Sequence, residues 1–418
     1  MQLFHIHSMR RFVWLAAAIV VLGAANLAAA DTYTPPAIYL TWQEDPATTM
    51  VVHWHTNPGD DVTGVNFAPI DSDEWTTVAG SEEAMYGSDQ TIHTAHLTGL
   101  EPGARYQFRL GDYEPVYQFE TMPADNSEPI RFVVGGDTAP LPLFGEMCEM
   151  AASHEPMFAI IGGDLAYADG EPEQLYRWEM WFTHWRDRMV TPSGRLVPVI
   201  VAIGNHEVQL RYHHRGASYE HAPYFFSYFA FPDIPGYNAL DFGDYMSLII
   251  LDSGHVNPIE GEQTEWLASA LAERQDKAHV FPIYHVPGYP SYRDYDGSLQ
   301  TAVREHWVPL FEEHGVRVVF EHHDHTFKRT HPIRGGEIDE ENGILYLGDG
   351  AWGVPLRTPM DADDEWYLAR TAERAHVFVV TLEGDTATYE AVDPDNVVFD
   401  RVRIEGGQPP EITPINGE

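Results

Sequence analysis

Two stretches of this sequence share one form: IRFVVGGD at residues 130–137 and MFAIIGGD at residues 157–164. Each is an apolar run, broken only by Arg131 in the first, that ends in two glycines and an aspartate. Runs of this kind suit strands that are buried on both faces of a sheet. Five further apolar runs follow. Amphipathic segments lie between several of them, at 141–153, 172–190, 262–276 and 298–314. This alternation predicts an α/β layered domain.

Five of the apolar runs end in side chains that can ligate a metal. These side chains are Asp137, Asp164, Tyr167, Asn205, His206, His285, His323 and His325. In open α/β sheets, sites form beyond the carboxyl ends of strands, so five loops are expected to converge there. The glycines are expected to let the backbone turn tightly and point the next side chain into the cleft. His323 and His325 alternate, and in an extended segment alternate residues face the same way.

The residues before this region have a different pattern. Residues 35–122 consist of short strands and turns without a helical period, which predicts a small β-sandwich. Within them, LTGLEPGARYQFRLG at 97–111 resembles a fibronectin type III domain. The predicted domains are 31–123 and 130–405, followed by a C-terminal tail at 406–418. The stretch 375–405 returns to β-like runs and is expected to extend a sheet of the second domain.

Residues 1–30 have the pattern of a signal peptide. Arg10 and Arg11 precede an apolar run at 12–22, and three alanines end the segment at Ala30. The alternative is a membrane anchor, but the run is short for a span of about 20 residues. No later segment is long and apolar enough to cross a bilayer. The mature protein is therefore expected to be secreted or periplasmic, without a membrane span.

Composition excludes some partners. The chain carries 64 acidic and 24 basic residues, a formal net charge of −40. Such a charge argues against binding to duplex nucleic acid or to an anionic membrane. It suits high ionic strength, where self-repulsion is screened, so a salty habitat is a hypothesis. Cys148 is the single cysteine, which excludes an intramolecular disulfide, and its helical pattern predicts burial.

The residues at the ends of the runs resemble the sequence blocks of one family, the purple acid phosphatases among the calcineurin-like metallophosphoesterases. The family's blocks are GDxG, GDxxY, GNH[DE], VxxH and GHxH. Their counterparts here lie at 136–139, 163–167, 204–207, 282–285 and 322–325. Tyr167 is the most specific feature, because most other metallophosphoesterases lack a tyrosine there. The resemblance spans about residues 35–405 and implies a layered β-sandwich flanked by helices, preceded by an all-β domain.

The resemblance also implies a ligand set for two metal ions. The first ion would be held by Asp137, Asp164, Tyr167 and His325. The second would be held by Asp164, Asn205, His285 and His323, with Asp164 bridging. A tyrosinate favours Fe(III) in the first site, and the second site would take Zn, Mn or Fe(II). The implied reaction is hydrolysis of a small-molecule phosphate monoester by a metal-bound hydroxide. His206 would stabilise the transition state or protonate the leaving oxygen.

The sequence departs from the family pattern in three places. Ala139 replaces the last glycine of the first block. His322 replaces the glycine before His323, where it either crowds the site or adds a hydrogen-bond donor. The histidine pair that plant members carry after the fourth block is missing. Arg293, Tyr292 and His322 are therefore the candidates for substrate contacts, and His213 and His214 are candidates for lining the cleft.

Two other functions remain open from the sequence. One is a phosphodiesterase on the same metal site, acting on extracellular nucleotides or lipid head groups. The other is a non-catalytic module that binds surface glycan or protein through the β-sandwich. The complete set of ligand residues argues against the second alternative. The sequence predicts neither the oligomeric state nor the choice between monoester and diester.

Overall fold

A computed structural model describes residues 31–210, 219–229 and 236–413. The predicted signal peptide at 1–30 lies outside the described residues, as do His213 and His214. Within the described ranges, no helix has both the length and the apolar character needed to span a membrane.

The N-terminal domain is entirely β, as predicted. Its strands are β1 Ile38–Thr41, β2 Thr49–Thr56, β3 Gly64–Pro69, β4 Thr76–Ala79, β5 Ser81–Ala84, β6 Thr91–Thr98, β7 Arg105–Leu110 and β8 Tyr117–Glu120. They form two antiparallel four-stranded sheets, in the orders β1-β2-β6-β5 and β4-β3-β7-β8. In β7, Tyr106, Phe108 and Leu110 are buried while the residues between them are partly exposed. This alternation gives the second of these sheets one apolar face. In the first sheet, every residue of β1 and β2 is buried.

The second domain contains both helices and strands. Its strands are β9 Ile130–Gly135, β10 Ala159–Ile161, β11 Val199–Val201, β12 Asn238–Phe242, β13 Met246–Ile250, β14 His279–Ile283, β15 Val318–Phe320, β16 Phe327–Thr330, β17 Ile333–Arg334, β18 Glu337–Ile338, β19 Leu345–Gly348, β20 Leu368–Ala372, β21 Val377–Glu383, β22 Thr386–Val392, β23 Val398–Glu405 and β24 Glu411–Ile412. Its helices are α1 Pro142–Ser153, α2 Leu175–Arg188, α3 Pro223–Tyr228, α4 Glu262–Ala272, α5 Ser298–His306 and α6 Val308–Glu313.

Two seven-stranded mixed sheets form the centre of this domain. Their orders are β11-β10-β9-β21-β22-β23-β24 and β12-β13-β14-β15-β19-β16-β20. The sheets face each other across one apolar core, in which Phe281 of β14 meets Phe132 of β9. Helices α1 and α2 pack on the outer face of the first sheet, and α4, α5 and α6 pack on that of the second. The predicted layered α/β class is confirmed.

Several boundaries differ from the predicted ones. The predicted helix at 298–314 is divided at Trp307 into α5 and α6, because Pro309 in the first turn of α6 lacks a backbone N–H. The predicted helix at 172–190 begins with a 3₁₀ turn, Pro172–Gln174. Within the predicted tail, β24 pairs with β23. The expected extension by the C-terminal strands is present, and β21 pairs antiparallel with β9.

Aromatic side chains connect the two domains. Trp42 lies edge-on to Phe158 and Phe242, with ring centroids 6.0 Å apart in both pairs. Tyr39 stacks on Phe182 of α2 at 4.7 Å, and its hydroxyl donates to the carbonyl oxygen of Tyr228 at 2.6 Å. The N-terminal sandwich and the second domain therefore share one continuous apolar core.

The parallel strands bring their carboxyl ends to the same edge. β9, β10 and β11 run parallel in the first sheet, and β13, β14, β15 and β19 run parallel in the second. The loops that carry the candidate ligands leave these strands on this edge.

Candidate metal centre

Two buried carboxylates form the base of the site. Asp137 follows β9 and Asp164 follows the neighbouring strand β10, and their side chains are 0% and 1% exposed. The two loops are hydrogen-bonded to each other, since the N–H of Asp137 donates to Gly163 O at 3.0 Å. Both aspartates have left-handed backbone angles, with φ of 56° and 55°. Non-glycine residues in this region are uncommon and cluster at functional sites.

The glycines of these loops mainly allow groups of adjacent loops to approach the backbone closely, and only some of them make turns. A Cβ on Gly162 would overlap the imidazole of His322, and a Cβ on Gly204 would overlap the carboxylate of Asp164. Of the two residues before Asp164, only Gly163 has a positive φ. The expectation that the glycines make the turns is therefore wrong for Gly162 and Gly204, where backbone and side chains of adjacent loops must touch.

Three ligand candidates from other loops face Asp164. His285 follows β14, and its Nε2 lies 3.2 Å from the Asp164 carboxylate. The same nitrogen is 2.8 Å from His323 Nδ1 and 3.3 Å from Asn205 Oδ1. Donor atoms of Asp137, Asp164, His285 and His323 all lie within 4.8 Å of one another. The structure thus brings together residues 186 positions apart in the chain.

The chemistry of this cluster fits a cation. His285 Nδ1 lies 2.9 Å from the carbonyl oxygen of Gly162, which can only accept, so Nδ1 carries the hydrogen. Nε2 of a neutral ring then points a lone pair at acceptor atoms. Burial lowers the pKa of His285, but the carboxylates of Asp164 and Asp137 outweigh it and raise this pKa to about 9. A field that favours a proton at this point also favours a metal ion.

Tyr167 and His325 lie on the other side of Asp137. The Tyr167 hydroxyl is 3.1 Å from Asp137 Oδ1 and 3.1 Å from His325 Nε2. His325 Nε2 is 3.0 Å from the same carboxylate. Burial and the charge of Asp137 raise the pKa of the Tyr167 hydroxyl well above its usual range. A cation bound among these three groups would favour the tyrosinate, because it offsets both effects.

His323 and His325 converge for a reason other than the expected one. The segment is not extended, since φ is 82° at His323 and 58° at His325. Asp324 between them turns away and is fully buried. Its carboxylate accepts hydrogen bonds from the backbone N–H groups of Ser291 and Tyr292 at 2.8 and 2.9 Å. Asp324 thereby holds the loop after β14 beside the ligand candidates.

His206 lies at the edge of the cluster and has a partner that the sequence patterns missed. Its Nδ1 is 2.5 Å from the carboxylate of Asp169, and its Nε2 is 4.0 Å from that of Asp164. Its ring also lies against Tyr167, with centroids 4.1 Å apart. Burial lowers the pKa of His206, but Asp164 and Asp169 outweigh it and raise it. The one signal in the sequence was an acidic residue two positions after Tyr167.

Glu207 is a second residue that the patterns left without a role. It is 2% exposed, and its carboxylate accepts from the backbone N–H groups of Asp164, Leu165 and Gly204, each at 2.8 Å. It therefore ties the loop after β10 to the loop after β11. The only sign of this role in the sequence was the position of Glu207 as the last residue of the third block, at 204–207.

The three candidates for substrate contacts have different positions. Tyr292 is 48% exposed, and its backbone N–H donates to the carboxylate of Asp324 at 2.9 Å. Arg293 is partly exposed and donates to Asp324 at 2.8 Å and to the carbonyl oxygen of His323 at 3.0 Å. His322 is 2% exposed, and its Nδ1 lies 2.9 Å from the carbonyl oxygen of Tyr284. Burial lowers the pKa of His322 to about 4.

The position of His322 corrects the expectation of a substrate contact. Its ring fills the space beside Gly136 and Gly162, behind the loops that carry the aspartates. It neither crowds the ligand atoms nor reaches the surface. The larger residue is accommodated because these two positions carry no side chain.

Comparison with known proteins agrees with this geometry. A family model described as the N-terminal domain of purple acid phosphatases matches residues 35–121, and a model described as calcineurin-like phosphoesterase matches residues 130–327. Purple acid phosphatase 18 of Arabidopsis thaliana is 25% identical over 361 residues, which cover 81% of this chain and 74% of the relative. An uncharacterized protein of Mycobacterium tuberculosis is 25% identical over 425 residues, covering 85% of this chain and 74% of that protein.

Solved structures show the same fold. Purple acid phosphatase PPD1 from yellow lupin seeds superposes with a TM-score of 0.74 at 18% identity, covering 89% of this chain and 75% of that one. A structure of PhoD superposes with a TM-score of 0.66 at 14% identity, covering 92% and 94%. The likeness of the N-terminal sandwich to fibronectin type III stays a prediction. From its two matched domains and its relatives, the chain is a phosphoesterase that belongs to the purple acid phosphatase family of the calcineurin-like metallophosphoesterases.

Proposed function

We propose that this phosphoesterase hydrolyses phosphate monoesters at a centre of two metal ions. The observation that carries the proposal is the convergence of buried Asp137, Asp164, His285 and His323 within 4.8 Å. Bound metal ions would supply Lewis acidity toward phosphoryl oxygens and would activate water near neutral pH. With both ions bound the centre would carry a positive charge and could bind a phosphate within an acidic protein.

Each ligand candidate has a proposed place. Asp137, Tyr167 and His325 would hold one ion, and Asn205, His285 and His323 would hold the other. Asp164, whose carboxylate lies 3.2 Å from His285 Nε2, would serve both ions. The tyrosine in the first group favours Fe(III), and the second group would accept Zn, Mn or Fe(II).

His206 is the proposed acid for the leaving oxygen. Its Nδ1 is engaged by Asp169, so Nε2 is the nitrogen that faces the centre. A proton held there can pass to the leaving alkoxide, and the cationic ring can also stabilise negative charge before that transfer. Asp169 orients the ring and favours its protonated form.

Metal analysis with a visible spectrum tests the centre. The purified protein loaded with iron and zinc should bind two ions and show a tyrosinate-to-Fe(III) band. Tyr167→Phe should lose the band and keep the fold, as judged by circular dichroism. Two identical divalent ions and no band would overturn the Fe(III) assignment, while leaving a metal-dependent esterase.

Paired substrates test the reaction. p-Nitrophenyl phosphate should be hydrolysed faster than bis-p-nitrophenyl phosphate, and His206→Ala should retain both ions while losing about 10²-fold or more in kcat. Faster hydrolysis of the diester would replace the monoesterase by a phosphodiesterase. Hydrolysis of neither ester by the loaded protein would favour a non-catalytic binding module.

The site of action is also a proposal. The charged and apolar pattern of residues 1–30 supports export, to the periplasm or the medium. N-terminal sequencing of the protein recovered after expression with its own leader should begin at Asp31. A protein that keeps residues 1–30 and stays with the membrane fraction would overturn this proposal.

A further inference from the structure

Two guanidinium groups converge on one backbone oxygen beside the metal centre. Arg293 donates to the carbonyl oxygen of His323 at 3.0 Å, and Arg357 donates to the same oxygen at 3.3 Å. The backbone N–H of Arg357 also donates to the carbonyl oxygen of His325 at 3.1 Å. Arg357 is therefore anchored to His323 and His325, although it lies more than thirty positions after them in the sequence.

The charges of these two arginines are not balanced. Arg293 forms an ion pair with the buried carboxylate of Asp324 at 2.8 Å. Within the described ranges, no carboxylate forms an ion pair with Arg357. Two like charges beside a single carboxylate repel each other, and a partly buried cation without a counter-ion is costly.

The guanidinium of Arg357 is held in place and stays accessible. It lies over the ring of Tyr292, with 5.1 Å between the guanidinium carbon and the ring centroid. This cation–π contact orients the group without neutralising its charge. Tyr292 is 48% exposed, and Arg357 itself is partly exposed. An anion from solution can therefore reach the free N–H donors of Arg357.

We infer that Arg357 is a specificity-determining residue that binds a second anionic group of the substrate. The reacting phosphoryl group would face the ions held by the side chains of His323 and His325. Arg357 contacts the backbone oxygens of these two residues and so lies to one side of the ions. The preferred substrates are phosphate monoesters with a carboxylate or a second phosphate near the ester. This inference rests on the proposed monoesterase activity and names its substrate class.

A matched pair of substrates tests the inference. 3-Phosphoglycerate and glycerol 3-phosphate share a three-carbon skeleton and differ by a carboxylate in place of a hydroxymethyl group. The wild-type enzyme should favour 3-phosphoglycerate in kcat/KM by about tenfold, which is the worth of one charged hydrogen bond. Arg357→Gln should bring this ratio close to one, and Arg357→Lys should retain part of it. Raising the salt concentration should lower the wild-type ratio, because an exposed ion pair is screened.

Arg334→Gln is the matched control. Arg334 is exposed at the end of β17, so this variant loses the same charge without touching the centre. It should keep the wild-type substrate ratio. Arg293→Gln is not a suitable control, because it would leave the buried carboxylate of Asp324 unpaired.

Binding supplies a readout independent of turnover. In metal-loaded His206→Ala protein, calorimetry should show tighter binding of 3-phosphoglycerate than of glycerol 3-phosphate, and the added Arg357→Gln change should remove the difference. A wild-type ratio near one, or an equal loss on both substrates in Arg357→Gln, would overturn the inference. In both cases the hydrolysis of glycerol 3-phosphate would still support the monoesterase. Failure to hydrolyse any monoester would instead refute the proposed function.

Discussion

A single hydrogen bond sets the orientation of His206. Asp169 lies 2.5 Å from Nδ1, so Asp169→Asn removes the charge that holds the ring and favours its protonated form. We expect kcat to fall, by less than the roughly 10²–10⁴-fold typical of losing the acid itself, with the metal content unchanged. Steady-state kinetics with metal analysis would measure both. A wild-type kcat in Asp169→Asn would show that the ring contact with Tyr167 suffices to orient His206.

Gly350 lies directly against the carboxylate of Asp137. Its φ is 71°, and a Cβ there would overlap the Oδ2 atom of the Asp137 carboxylate. Gly350→Ala should therefore displace this carboxylate and release the ion proposed for Tyr167 and His325, with loss of the visible band. The measurement is iron content after dialysis.

Gly335→Ala is the control that distinguishes the steric clash expected in Gly350→Ala from backbone strain. Gly335 also has a positive φ, 62°, but a Cβ there would meet no atom within 4 Å. Both variants incur a left-handed strain of about 1–2 kcal/mol, and only Gly350→Ala should lose the ion. Equal iron content in the two variants would show that the carboxylate can move without losing its ligand function.

At the scale of elements, β16 carries an unusual buried cation. Lys328 is 0% exposed and pairs with Glu321 at 2.6 Å and with Asp349 at 3.3 Å. Lys328→Met leaves both carboxylates buried without a counter-charge. The unfolding free energy should fall by about 3–5 kcal/mol, measured by urea denaturation.

The only other lysine of the chain provides the control. Lys277 is 16% exposed and lies 3.6 Å from Asp241, which also pairs with Arg274. Lys277→Met should cost about 1 kcal/mol or less. A similar cost for the two variants would mean that Glu321 and Asp349 adapt by taking up protons.

The same elements show what the sequence could predict. The buried parallel strands were predictable because each is a largely apolar run, as in β10 and, apart from Arg131, in β9. β16 was not, because Lys328 and Arg329 make it look like an exposed loop, and only the tertiary ion pairs bury it. The division between α5 and α6 was signalled by Pro309 but was hidden within a longer amphipathic pattern.

The residues of the candidate site also divide into those that the sequence predicted and those that it did not. Asp137, Asp164, His285 and His323 were predictable because each follows directly on a strand. Asp169, Glu207 and Arg357 were not, because their roles depend on loops that meet only in the folded chain. Proximity in the sequence also misled, since His322 adjoins His323 but its ring turns into the core.

At the scale of the whole molecule, buried histidines make the joined domains sensitive to acid. Burial lowers the pKa of His53 and His55 from 6.5 to about 3. As the pH falls, these two histidines become protonated in the unfolded chain before they do in the folded chain. Their contribution to the free energy of unfolding is therefore complete above about pH 6.5 and is lost as the pH falls toward 3. The loss is about 1.4 kcal/mol per pH unit for each histidine.

Urea unfolding at pH 7.5 and pH 5.0 would measure this loss. The wild-type protein should lose about 4 kcal/mol from these two groups between the two pH values. His55→Phe should reduce the loss by about half, since rings of Tyr39, Phe182 and Tyr228 surround the site. His331→Gln, at a side chain 37% exposed, should leave it unchanged. No difference between His55→Phe and wild type would mean that the acid loss arises elsewhere.

The aromatic contacts between the domains also bear on the order of synthesis. Tyr39 and Trp42 leave the ribosome early, but Phe158, Phe182 and Phe242, which cover them, are translated more than a hundred residues later. The nascent N-terminal sandwich thus has an uncovered aromatic surface for many seconds at usual elongation rates of about 5–20 residues per second. During that interval the growing chain depends on chaperones or on its own acidic surface to avoid association.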